Sequence, residues 1–410
     1  MRFPFPSVAV HARVPARQHQ VALAMTPHPQ TLSGALARDA NNFDLVRLIA
    51  ACAVVYCNAY VIQQTDAGDG IAAALGFGGA GYLGVYAFFL MSGLLVSASF
   101  ERQRSVPRFV TLRLARLLPA VAGTSLVAIF IVGPIFTTLA LHDYFTSGAT
   151  WRNLDYFSTL VMKRGWTLPG VFEHNRFVRD ICAPLWTLPL QVYCYVLVLF
   201  MGMFGLLSTR WRSVIAVLIA VAVFSVRVRL PDLQIGWGDF PDKAGGYAFF
   251  PEPFFFLGML LYGWRERINL SGLTACGLIL VFLVFRDTAG AQALFYIAFV
   301  YGLLWMSVTP MLRGWVPRHD YSYAIYLYGF MVQQCVAALA PRMPPMLSIV
   351  VSAPFIFALA AFSSRWIERP VMSWCRGRIA RIEARQQERR NAREAAPMRA
   401  ADLAVRWPPL

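Results

Sequence analysis

Four polar side chains carry most of the chemical content of an otherwise apolar chain: Asp44, Arg47, Asn58 and Gln191. Each lies in or at the edge of a stretch apolar enough to cross a membrane, where ionisable or strongly polar groups are costly and point to function. Asp44 and Arg47 are three residues apart, so a helix puts them on one face, able to pair. Asn58 follows Arg47 by eleven residues. At about 100° per residue it returns to nearly the same face, roughly 16 Å deeper. Gln191, counted at about 1.5 Å per residue, sits about 10 Å below the opposite surface, close to the depth of Asn58. Two amides at one depth could line a polar cavity, or could join two helices by a hydrogen bond of about 0.6 kcal/mol. Asn42 is a residue type that caps helix starts, and Asp44 suits the positive end of the helix dipole. A structural anchor therefore explains the Asp44–Arg47 pair as well as a site does.

Other constellations are absent or empty of meaning. His11, His19, His28, His142, His174 and His319 all fall outside the apolar stretches, so a histidine-based proton relay or metal site within the bilayer is not expected. The seven cysteines contain no CxxC pair and lie mostly in apolar runs, where Cys behaves as a small hydrophobe. Gly76, Gly78 and Gly81 spell GxGxxG, but no strand precedes them and no βαβ unit surrounds them, so the dinucleotide reading fails.

The elements that position these residues follow from composition. The chain has 410 residues, 58% hydrophobic and 14% charged, against about 45–50% and about 25% in soluble domains. That excludes disorder and a disulfide scaffold, and predicts an all-α polytopic membrane protein. A span needs about 20 mostly apolar residues. Ten segments approach that length, near 44–63, 82–99, 120–141, 183–206, 213–227, 246–264, 271–286, 291–308, 322–341 and 347–366. The net charge is +16, and the arginines follow the expected alternation. Arg102, Arg104, Arg108, Arg113 and Arg116 follow the second span. Arg210 and Arg212, Arg265 and Arg267, and Arg313 and Arg318 mark alternate loops, and nine arginines follow Val371. Positive-inside bias then puts both termini in the cytoplasm. Basic residues confined to loops and tails do not form a nucleic-acid face. The chain divides into a cytoplasmic N-terminal tail (1–40), a ten-helix membrane domain (41–370) and a basic C-terminal tail (371–410) suited to anionic lipid. Residues 142–182 and 228–245 form the two long outer loops, functional segments or simple lids.

Longer motifs then carry a resemblance. Asn42-Phe43-Asp44-x-x-Arg47, Gly84-Val85-x-x-Phe88-Phe89-x-x-Ser92-Gly93, and the run Arg108-Phe109, Arg113, Arg116, Pro119 resemble the opening of the membrane acyltransferase-3 family. So do Leu168-Pro169-Gly170-Val171-Phe172 with Asn175, and Leu185-Trp186-Thr187-Leu188-Pro189. Tyr323-x-x-Tyr326-x-Tyr328 and Glu368-Arg369-Pro370 complete the order over about residues 40–375. The resemblance implies an inner-membrane enzyme that moves an acyl group, commonly acetyl, from cytoplasmic acyl-CoA to a hydroxyl of an extracytoplasmic glycan or lipid-linked sugar, without a metal. It implies Asn58, Gln191, Arg47 and Asp44 as the catalytic positions, with Ser92, Gly93, Trp186, Tyr326 and Gly329 as further motif positions. Arg47, Arg113 and Arg116 are the candidates for the donor, since guanidinium groups bind phosphate through paired hydrogen bonds.

Three positions depart from the family at the chemistry. Asn58 stands where the family places a His, Gln191 where a carboxylate is expected, and Gly329 where the tyrosine motif is often followed by His. An amide is no general base near neutral pH, and losing one base costs about 10²–10⁴-fold. Two readings follow. The chain is an acyltransferase with an altered centre, drawing a base such as His174 or Asp180 from the outer loop. Alternatively it is a catalytically degenerate member that binds donor or glycan, or partners an active acyltransferase. A transporter ranks third, because no inverted repeat argues for one.

Overall fold

The computed structural model describes residues 30–37, 41–63, 69–161, 165–229 and 250–406. His11, His19 and His28, most of the 228–245 loop and the start of the sixth predicted span lie outside the described residues. Helices dominate the rest: α1 (Phe43–Ile62), α2 (Ala80–Gln103), α3 (Val106–Val127), α4 (Thr187–Met203), α5 (Arg210–Arg229), α6 (Glu252–Gly263), α7 (Gly272–Val284), α8 (Ala291–Val308), α9 (Ser322–Leu339), α10 (Pro345–Ser363) and α11 (Arg369–Arg406). β-structure amounts to one short antiparallel pair, Gln30–Thr31 with Asn269–Leu270, and isolated bridges.

Among the described residues, six helices are long and apolar enough to cross a membrane. They are α1, α2, α3 with its extension to Phe136, α4 with the preceding turn from Ala183, α8, and α10 as continued to Glu388. α6 and α7 are apolar but shorter. α5 carries Arg210, Arg212, Arg227 and Arg229 near its ends, and α9 contains Gln333 and Gln334, which lower their hydropathy. Both glutamines are fully buried and α9 is enclosed along most of its length, so protein rather than lipid surrounds its polar groups.

Two departures from the sequence reading bear on the site. α3 begins at Val106, not near residue 120, so Arg108, Arg113 and Arg116 project from a helix and not from a loop. Hydropathy reads arginine as solvent, whereas arginine is a good helix former and Pro107 stands in the first turn, where proline is tolerated. Asn42 does not cap α1. Its amide nitrogen donates to the carbonyls of Met306 (2.9 Å) and Thr309 (2.7 Å) at the end of α8, and its Oδ1, the atom a cap would use, has no partner.

Contacts group the chain into two units, Met1–Asn42 with Glu266–Val316, and Phe43–Arg265 with Pro317–Leu410. In the first, α7 and α8 pack together beside the short strand pair. In the second, α2 packs against α1 and α6, and α9 against α1 and α10. The α2–α6 approach is close enough that a Cβ on Gly93 would collide with the Phe255 carbonyl, and one on Gly258 with that of Leu90. Small residues permit such contact between membrane helices. Gly93 therefore serves packing.

The 142–182 segment is folded onto the second unit. Tyr144, Leu168, Val171, Phe172 and Ile181 share one core cluster with Ala51 and Val55 of α1, Tyr328 and Met331 of α9, and Ile356 of α10. The Tyr144 hydroxyl donates to the carbonyl of Ile129 (3.0 Å). That residue lies in a π-helical turn, Ala128–Val132, where the ordinary helical bonding is interrupted. Gly76, from the discarded GxGxxG, ends a short helix in the left-handed conformation at φ +74°, as a C-terminal glycine commonly does.

Candidate functional site

The second unit holds a partly open cavity of about 90 Å³ between α1, α2, α3, α4 and α9. Its polar lining includes Arg47, Ser92, Arg113, Arg116, Gln191 and Tyr326, drawn from all five helices. Six predicted positions, spread over 280 residues of sequence, thus meet in one place. Gly93, Trp186, Gly329 and Asn58 are not among the lining residues. Asn58 stands on α1 with its amide nitrogen buried and unpartnered, and the structure does not bring it into this cavity with Gln191.

The organising group at the mouth is Asp320, which the sequence reading passed over. Its Oδ2 receives Arg116 and, at 3.5 Å, Arg47. Its Oδ1 accepts the Ser322 backbone N–H (3.0 Å) and the Ser322 hydroxyl, pinning the start of α9. Arg47 also meets Asp44 Oδ1 at 3.7 Å, as the three-residue spacing predicts. Burial alone would raise the Asp320 carboxyl, but Arg116, Arg47 and Ser322 outweigh it and hold it well below the usual carboxylate range. The two guanidinium groups are thereby fixed in place. Asp320 is 273 residues from Arg47; the only sequence signal was an acidic residue immediately before the Tyr-Ser-Tyr run.

Arg116 also borders a second, wider hollow of about 500 Å³ beside it, with His319, Asp320, Glu368, Arg369 and Arg376. An arginine-fringed basin thus adjoins the cavity, with Arg116 lining both.

Inside the cavity, some polar groups are satisfied and others are not. The Tyr326 hydroxyl lies 2.9 Å from the Thr187 hydroxyl and 2.9 Å from the Pro184 carbonyl, which ties α9 to the Trp186-Thr187 motif. Arg113 bonds Ser99 (3.1 Å) and lies over the rings of Phe109 and Tyr195. Gln191 Nε2, the Tyr323 hydroxyl and Arg113 Nε are buried without a hydrogen-bond partner. None of the lining side chains is a His, Asp or Glu.

Gly329 sits in a close contact between α1 and α9. A Cβ at this position would stand 2.6 Å from Val55 Cγ2, so the α1–α9 contact has no room for a side chain there. Gln333 Nε2 donates to the Val55 carbonyl (2.9 Å) on the same contact.

The 142–182 segment is latched through Gln334. Its amide donates to the carbonyls of Phe177 (2.9 Å) and Asp180 (2.8 Å), and its Oε1 accepts from Asn175 (2.8 Å). His174 is exposed and does not turn inward as a base would need to. Burial pushes the Asp180 carboxyl up to about 6, although it accepts the Cys182 backbone N–H. The latching glutamines were legible as polar residues within an apolar segment, and the search for costly side chains missed them.

Sequence comparisons show the class of protein to which this cavity belongs. The acyltransferase-3 family, described as an acyltransferase domain, matches residues 41–380, and the chain belongs to that family. An O-acetyl transferase of Shigella phage Sf6 is 26% identical over 72% of this chain and 85% of its own length. Nodulation protein 10 of Rhizobium leguminosarum bv. viciae is 27% identical over 83% of this chain and 95% of its own. No solved structure matches.

Proposed function

We propose that the protein is an acyl-CoA-dependent O-acyltransferase of the bacterial inner membrane. It moves an acyl group, most simply acetyl, to a hydroxyl of an extracytoplasmic glycan or lipid-linked sugar. The observation that carries this reading is the convergence of Arg47, Arg113 and Arg116 on the cavity that Gln191 lines. Arginine forks match phosphate oxygens, and the adjoining basin with Arg369 and Arg376 adds positive charge where a nucleotide would lie. The name of the phage relative supports acetyl as the group and oxygen as its destination.

The orientation that goes with this reading has ten spans, α1 to α10, with the arginine basin and both termini in the cytoplasm and the 142–182 fold outside. A packed outer fold latched by Gln334 suits the approach of a large acceptor from that side. The absence of His, Asp and Glu from the cavity lining favours one second reading, a degenerate member that holds donor without turning it over.

Proteoliposomes carrying the protein, given radiolabelled acetyl-CoA on the arginine side and a polyprenyl-linked oligosaccharide within, test the proposal. Base-labile label on the saccharide is the expected result. Donor binding without any transfer would instead establish the second reading.

A further inference from the structure

The unsatisfied groups of the cavity are all hydrogen-bond donors. Gln191 Nε2 and Arg113 Nε can only donate, and the Tyr323 hydroxyl has a proton free to do so. All three line one cavity, and each is buried without a partner. Among the other polar lining groups, Arg47, Arg116 and Ser322 are engaged by Asp320, and Thr187 and Tyr326 by each other and by Pro184. A buried donor with no acceptor is costly, and several on residues that line one space point to a ligand that accepts and does not donate. A carbonyl oxygen fits that description, and an oxyanion fits it better.

We infer that Gln191 and Tyr323 hydrogen-bond the carbonyl oxygen of the donor thioester. This rests on the acyltransferase reading. In the transfer, the acceptor hydroxyl oxygen bonds to the carbonyl carbon, and the C=O pair moves onto the carbonyl oxygen, which becomes an anion. Collapse restores the C=O bond and breaks the carbon–sulfur bond. The sulfur leaves with that electron pair and takes up the proton that the hydroxyl gives away, so an ester and a free thiol are formed. Donors already aimed at the oxygen stabilise that anion without reorganising. An amide at position 191 is then the suitable group, because a carboxylate there would repel the oxyanion. The same substitution that removes a base supplies a donor.

The test compares the native protein with Tyr323→Phe and Gln191→Met by three readouts. Turnover of acetyl-CoA falls about 10- to 1,000-fold in kcat for each variant, with KM changed by less than about threefold. Free CoA, which has no thioester carbonyl, binds all three proteins alike, which also shows that the variants are folded. Infrared difference spectra of acetyl-CoA labelled at the carbonyl carbon show the band shifted to lower frequency on the native protein and returned toward its solution position on each variant. A native band at the solution position, or a Tyr323→Phe protein with native kcat and native band, would overturn the inference while leaving the acyltransferase reading standing. Failure of the native chain to bind CoA or turn over acetyl-CoA would overturn both.

Discussion

Asp320 decides how two arginines can be held side by side at the cavity. Arg47 and Arg116 repel each other, and one carboxylate between them converts that repulsion into a fixed pair. Replacing it by Asn keeps the shape and removes the charge. Leaving a buried charge unpaired is strongly destabilising. With Asp320 and Arg47 mostly buried and Arg116 about a third exposed, the expected cost is about 1–3 kcal/mol, read as a lower unfolding temperature in detergent. The sign of its pH dependence follows from the depressed pKa. The stabilisation is present above the unfolded value, about 3.9, and is lost only as pH falls through the still lower folded value. The difference between native and Asp320→Asn proteins is therefore constant from pH 5 to pH 8. Asp180 has the opposite sign. Its folded pKa is raised to about 6, so the folded state holds a proton that the unfolded state releases. Stability then declines as pH rises from about 4 through 6 and is level above, by up to about 3 kcal/mol. Asp180→Asn flattens that slope in thermal unfolding, and an unchanged slope would show that Asp180 is not its source.

At the scale of elements, the helices were legible and their edges were not. Runs such as Leu48–Val61 announce themselves through hydropathy, and all ten expected segments fall on α1 to α10. The start of α3 was misplaced because Arg108, Arg113 and Arg116 read as solvent, yet this is the helix that carries two of them into the cavity. Arg47, Arg113 and Arg116 were legible as donor candidates from their type and motif. Asp320 was not, because contact between residues 204 positions apart, as with Arg116, leaves no trace in local sequence. Asn58 and Gln191 share a depth by counting, but rotation about each helix axis decides the cavity each faces, and counting along a helix does not fix its neighbours. The α1–α9 contact yields a prediction of its own. Gly329→Ala brings a Cβ to 2.6 Å from Val55 Cγ2 and costs about 1–3 kcal/mol through overpacking. Adding Val55→Ala restores most of the lost stability. If Gly329→Ala is neutral alone, the close approach is not what excludes a side chain there.

Taken whole, the second unit sets a small cavity with unpartnered donors beside an arginine basin and packs the 142–182 segment into its core. What unites the account is the claim that the cavity is the acyl-donor site. Equilibrium binding of CoA to the purified protein in lipid nanodiscs, beside Arg113→Gln, tests it most directly. Arg113 lies outside the Asp320 network, so its loss leaves that anchor intact. The account predicts that the native chain binds CoA and that Arg113→Gln binds at least about tenfold more weakly, a difference of about 1.4 kcal/mol. A native chain that does not bind CoA, or a variant that binds it equally well, would contradict it.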